Sequence, residues 1–410
     1  MLSKATISTF HRGFKLLALI LILILASRAW AGPKYKVLHA FGLGNDGGGL
    51  WGSLAFDAIG NLYGTTSGGG AHGDGTVFEL TPESGGTWSE AVLHSFPSFP
   101  DDGGAPMSAP VLDGAGNLHG TTTGGGGGYK YGTVFELAPG SGGWTETILH
   151  RFGRNRPAGS PRGPLTIDKE GNLYGTAFNP FELSRSAGKW KLSILHTFPS
   201  YQGDGDSAVG GVIRDTAGNI FGVTVYGGGS KICTLGCGTA YELQYTARGK
   251  WKEHILHDFG TRNDNMVWPQ GTLAIDSPGN VYGVALGGAS NEGAVYRLTR
   301  GTGSWRAAVL YNFTGGVNGG NPSGVVVMDS AGNLYGTTSE GGNGSCGCGV
   351  VYKLAPGSKG RWKYTVLHRF TGGDGAEPVA ALIFDNKGNL YGTTATGGAG
   401  GAGVAFELAP

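Results

Sequence analysis

Charged side chains are scarce in this 410-residue chain: Asp, Glu, Lys and Arg make up 14% of it, where about one quarter is usual. Thirty basic and 29 acidic residues leave a formal charge of +1, so the basic footprint of a nucleic-acid binder is missing. Long apolar runs are missing too. The longest, residues 16–26, falls short of the roughly 20 residues a membrane-spanning helix needs, and no second run of that length occurs. Helical 3.6-residue periodicity is absent. So are a P-loop, a nucleophile–base pair and a zinc-binding helix motif.

The short apolar run has a specific setting. Lys4, Arg12 and Lys15 precede it and Ala29-Trp30-Ala31 comes after it, the order of a secretory signal peptide cleaved after Ala31. Removing residues 1–31 takes away Lys4, Arg12, Lys15 and Arg28 and no acid, which lowers the formal charge to about −3 and leaves nucleic acid a poor partner. The mature chain, residues 32–410, is expected to be exported: secreted, periplasmic or at the cell surface, with no membrane span.

Glycine is what the chain has in excess, 82 residues of 410. These glycines cluster without the every-third-residue period of collagen. A hydrophobic share of 39% with 10% aromatics is enough for a core, so the composition indicates short strands joined by tight turns. The string GNLYGTT and its variants recur seven times, with the motif asparagine at residues 61, 117, 172, 219, 280, 333 and 389, a mean repeat of about 55 residues. Each copy reads as four strands, for example residues 53–57 (a), 61–66 (b), 76–80 (c) and 88–96 (d). Four strands at a period just above that of kelch repeats predict an all-β, seven-bladed β-propeller forming one domain. The first mature strand, residues 35–41, reads as a lone d strand and the last, residues 403–408, as a c strand without its d. Their pairing would close the ring and cover both edges.

The repeated pattern V-L-H-x-F, D-x-x-G-N-L-Y-G-T-T, G-G, G-T-V-F-E-L covers residues 35–410. It resembles the GloVer (Gloeo/Verruco) tandem-repeat family of exported bacterial proteins. The resemblance implies an exported repeat protein and, with the chain closing on Phe406-Glu-Leu-Ala-Pro410, no C-terminal sorting anchor of the kind some relatives carry.

Recurrence itself argues that the repeated residues are structural. An acid stands four residues before the motif asparagine in every copy: Asp57, Asp113, Asp168, Asp215, Asp276, Asp329 and Asp385. In a D-x-x-G-N turn the carboxylate accepts backbone N–H bonds and Gly supplies the left-handed residue. Catalysis does not need one acid at seven equivalent places. Six histidines (His39, His94, His150, His196, His257, His368) share the V-L-H-x-F slot, with Tyr311 in the seventh. Period-two alternation places Val, His and Phe on a blade-interface face and Leu on the other; no His cluster stands out as a metal or catalytic site. Six tryptophans, six residues earlier, read as packing. The glycine after the strand-b aromatic, such as Gly64, reads as a close backbone approach.

Function is expected on the face formed by the b–c and d–a loops, whose lengths and chemistry vary between copies. Several d–a loops carry an Asp: Asp46, Asp102, Asp204, Asp264 and Asp374. Calcium would suit these oxygens, but Asp-Gly reads first as a common turn pair and no EF-hand spacing occurs; no other cofactor is indicated. Copy three lacks the usual b–c glycine stretch and places Arg154, Arg156 and Arg162 in its d–a loop, a positive notch suited to carboxylate or sulfate groups of an acidic glycan. Cys233 with Cys237 and Cys346 with Cys348 fall in two b–c loops. Pairing within each loop suits an oxidising compartment, the second pair closing a small, strained ring. The chain is therefore expected to be a monomeric, non-catalytic binding module for extracellular polysaccharide or a cell-surface protein. The competing expectation is a polysaccharide lyase or glycosidase on the variable face, which would need non-repeated acids or histidines converging near the axis.

Overall fold

The structure is a computed structural model and describes residues 32–97, 102–126, 131–153, 159–199, 203–247, 249–261, 265–342 and 346–410. The signal-peptide segment, residues 1–31, lies outside the described residues.

Each blade starts from its D-x-x-G-N turn. Asp57 Oδ1 accepts the backbone N–H groups of Ile59, Gly60 and Asn61 at 3.0, 2.8 and 2.9 Å, and its Oδ2 accepts Asn61 Nδ2 at 3.0 Å. One carboxylate thereby satisfies the donors that a tight hairpin would otherwise strand. The other six copies repeat the bond from the motif asparagine N–H at 2.7–2.9 Å. The turn joins strand a (Ala55–Phe56) to strand b (Leu62–Thr66), which pairs with strand c (Thr76–Pro82) and then strand d (Trp88–Ser95).

Among the described residues, seven such four-stranded antiparallel sheets form a propeller. The last consists of Ile383–Phe384, Leu390–Thr394 and Val404–Ala409, completed by Lys34–Ala40 from the start of the chain. Lys34 faces Ala409 and Ala40 faces Val404, so the ring closes through the expected pairing.

The threonines of G-T-T stitch the disc in two directions. Thr66 Oγ1 lies 2.9 Å from Thr76 Oγ1 and accepts the Thr76 N–H, tying strand b to strand c. Thr65 donates to the Ser108 carbonyl of the next blade at 2.9 Å, and Thr393 donates to the Gly52 carbonyl across the closure, also at 2.9 Å.

Blades pack on one another through aromatic rings. The Phe that ends each d strand meets the strand-c aromatic of the following blade at centroid separations of 4.8–5.5 Å, from Phe41–Phe78 round to Phe370–Phe406. That strand-c ring lies over the strand-b glycine of its own blade. A Cβ on Gly64 would sit 2.3 Å from Phe78 Cζ, so the close approach expected there is side chain over backbone within a blade.

The V-L-H-x-F segment differs from simple alternation. Six strand c–d ladders shift register by skipping its Leu, as Leu93 is skipped between the His94↔Val77 and Val92↔Phe78 pairs. This bulge adds a residue and rotates the side chains beyond it. Val37 and Val92 consequently face solvent, Leu38 and Phe41 are buried, and the histidine stands half-buried at the rim. The expected Val–His–Phe face is broken because period two holds only where the ladder is unbroken.

Candidate functional site

Strand a of each blade lines the axis, and two layers of residues define the passage there. The inner layer is uniformly small: Gly52, Ser108, Gly163, Gly210, Gly271, Gly324 and Ala380. Neighbouring backbones touch at this throat; a Cβ on Gly271 would lie 2.0 Å from the Gly324 carbonyl oxygen. One residue earlier in six of the seven blades, toward the d–a loops, the lining diverges into Trp51, Met107, Arg162, Gln270, Ser323 and Val379. These side chains, the throat and, beyond it toward the a–b turns, Ile213, Leu273, Val327 and Ile383 line a cavity of about 570 Å³ in which Arg162 is the one charged group among the described lining residues. Trp51 is 40% exposed and Trp268, on the same face, 39%.

The residues singled out from sequence fall in different places. Arg162 opens onto the axial cavity, while Arg154 and Arg156 lie outside the described residues. The missing loop of copy three is observed: strand b ends at Ala177 and strand c starts at Asn179, with Phe178 between them at φ +65°. Cys233–Cys237 and Cys346–Cys348 are both disulfides, with Cα–Cα separations of 5.3 and 5.1 Å. Asp57, Asp113, Asp168, Asp215, Asp276, Asp329 and Asp385 all sit in a–b turns.

The d–a loop aspartates do not gather on the axis. Each described one approaches the rim histidine that precedes it: Asp46 with His39 at 3.4 Å, Asp102 with His94 at 3.1 Å, Asp204 with His196 at 3.2 Å and Asp374 with His368 at 3.0 Å. Asp264 lies outside the described residues. At two interfaces the next blade adds a glutamate. Glu146 Oε2 is 3.6 Å from His94 Nε2, and Glu253 Oε2 is 3.6 Å from His196 Nε2. Burial and the adjacent Asp102 push the Glu146 carboxyl up to about 9, and burial with Asp204 pushes Glu253 up to about 7. Burial would raise the aspartates as well, but hydrogen bonds from His94 and His196, from the neighbouring glutamates and from the Gly103 and Gly205 N–H groups together outweigh it and hold Asp102 and Asp204 below the usual carboxylate range. At His368 the glutamate position is taken by Tyr35, stacked on the imidazole at 3.8 Å and 4°.

The Gloeobacter/Verrucomicrobia repeat profile matches residues 27–180 and 179–406. The chain belongs to this repeat family. No curated protein matches it. Among solved structures, this family member is similar to the extracellular domain of a proposed hybrid two component system, BT3049, from B. thetaiotaomicron, at 12% identity and a TM-score of 0.53. That similarity covers 92% of this chain and 41% of the other, so the repeat protein spans less than half the length of that structure. A proposed 6-phosphogluconolactonase from Bacteroides uniformis ATCC 8492 aligns at 11% identity and a TM-score of 0.49, over 76% of this chain and 83% of its own. At such identities the likeness is one of fold. Among the described residues no helix is long and apolar enough to cross a membrane.

Sequence reasoning missed two features of this repeat protein. The symmetry-breaking axial layer is hidden because Trp51, Met107 and Arg162 come after loops of unequal length. The rim triplets are hidden because their members come from successive repeats. A signal existed: Glu146 and Glu253 each precede their own slot histidine by four residues, and each lies beside the histidine of the blade before; Glu90 keeps the spacing but faces Asp46.

Proposed function

We propose that this protein is an exported, monomeric binding module whose b–c/d–a face takes extracellular glycan at the axial cavity. The observation that carries the reading is the layer of Trp51, Met107, Arg162, Gln270, Ser323 and Val379. Seven near-identical blades differ in chemistry where they converge on an open cavity, while the throat beneath them stays uniform. An exposed indole offers an apolar platform for a sugar ring, Arg162 supplies a fork for a carboxylate or sulfate, and Gln270 supplies both a donor and an acceptor. Further apolar side chains on the same face, Leu43, Tyr226 and Trp268, are exposed to solvent, which suits a surface that meets a partner.

Binding is favoured over hydrolysis by the lining itself. Glycosidic cleavage calls for two carboxyl groups facing each other across the bond, and the described lining offers one guanidinium and no carboxylate. The deciding experiment is a glycan-array screen of the purified chain, repeated with Trp51→Ala and Arg162→Ala. Uronate or sulfated glycans should bind, and each substitution should weaken binding by about tenfold or more, as for anchoring Trp and Arg residues elsewhere. Hits unaffected by both substitutions, or hits that are cleaved, would sink the reading.

A further inference from the structure

The rim of the disc carries a site of a different kind. We propose that two blade interfaces each bind a Zn2+ ion, one held by His94, Asp102 and Glu146 and the other by His196, Asp204 and Glu253. In each triplet all three ligand atoms lie within 4.8 Å of one another. A tetrahedral Zn2+ with bonds of about 2.0–2.1 Å sets its ligands about 3.3 Å apart. The observed separations from the histidine nitrogen are 3.1 and 3.6 Å at the first site and 3.2 and 3.6 Å at the second, values on either side of that edge.

Three further observations point to a ligand. The aspartates are aimed in advance: Asp102 Oδ1 accepts the Gly103 N–H at 2.6 Å and Asp204 Oδ1 the Gly205 N–H at 2.7 Å, which turns each Oδ2 toward its imidazole. Such outer contacts orient metal ligands. In each glutamate Oε2 faces the imidazole while the second oxygen, Oε1, is buried with no hydrogen-bond partner, as is Glu90 Oε1, a cost that a carboxylate gripping an ion through both oxygens would remove. Finally, the same geometry appears at two separate interfaces, while the His368 interface, which has the histidine and aspartate, is closed by the stacked Tyr35 ring. His39 and Asp46 form a looser pair, because Asp46 Oδ2 is shared with the Gly42 N–H.

The ligand chemistry selects the metal. Calcium takes six to eight oxygens, whereas one imidazole and two carboxylates suit Zn2+ with a fourth position left to water. Ligand side chains 13–24% exposed allow that water to reach the ion. Because histidine and aspartate come from one blade and its following loop and glutamate from the next blade, each ion would clamp neighbouring blades.

The test is zinc uptake by the tag-free, chelator-stripped chain, measured by calorimetry and by elemental analysis after dialysis. Two ions per chain are expected, with a rise in melting temperature. His94→Gln or His196→Gln alone should leave one ion and the double variant none, while His368→Gln should keep both. Circular dichroism of each variant separates lost binding from lost folding. No uptake by the parent chain, retention of both ions by the folded double variant, or equal uptake and stabilisation by calcium would overturn the proposal. Glycan binding at the axis is measured separately, so either reading can fail alone.

Discussion

Asp168 shows how much one carboxylate does in this protein. It accepts the N–H groups of Glu170 and Asn172, the Asn172 side-chain amide and the Tyr174 hydroxyl, and it pairs with Arg214 at 3.1 Å. Burial alone would raise its pKa, but the Asn172 hydrogen bonds outweigh that and hold it below the ordinary range; Asp113 and Asp329 behave alike. A carboxyl held lower in the folded than in the unfolded chain contributes stability that is complete above the unfolded pKa and is lost as pH falls through the folded one. Stability from these turns should therefore drop below about pH 4. Asp168→Ala should cost about 2–3 kcal/mol at neutral pH by stranding donors, and should make the acid limb shallower in urea titrations run from pH 7 to 2. An unchanged limb would mean that the turn carboxylates do not drive acid unfolding. This much was readable from D-x-x-G-N, because all the partners but Arg214 and the strand-b hydroxyl lie within four residues.

At the scale of the strand, glycine serves two purposes that substitution can separate. Gly222 is overlaid by Tyr241, and a Cβ would fall 2.4 Å from the ring hydroxyl and 2.6 Å from Cζ. The fully buried Tyr241 has nowhere to move, so Gly222→Ala should cost about 3 kcal/mol or more by overpacking. Gly60 lies at φ +99° with open space around it, so Gly60→Ala should cost only the left-handed conformation, about 1 kcal/mol. Equal losses in chemical denaturation would refute the distinction. The need for glycine in strand b could be seen in the sequence, but the ring that imposes it could not. The bulge in V-L-H-x-F was equally hidden, since an inserted residue shows only against the partner strand.

For the whole molecule, stability rests on closure by Lys34–Ala40. Leu38 and Phe41 enter the core with that strand, and buried side chains of this size are worth about 1.5–3 kcal/mol each. A chain beginning at residue 43 should melt well below the parent and be cleaved first in its last blade, where Val404–Ala409 becomes an edge; an unchanged melting temperature would show that the ring does not depend on this strand. Blade number, strand order and closing partners were all legible in the sequence. They come from a period and from turn chemistry, which act between near neighbours. What stands at the axis and along the rim was decided only by the tertiary structure. Arg162 and Trp51 line one cavity because the blades converge on one axis, and His94 approaches Glu146 because a bulge turns the imidazole toward the next blade. Contacts of that kind depend on the angle between blades, which no single repeat encodes.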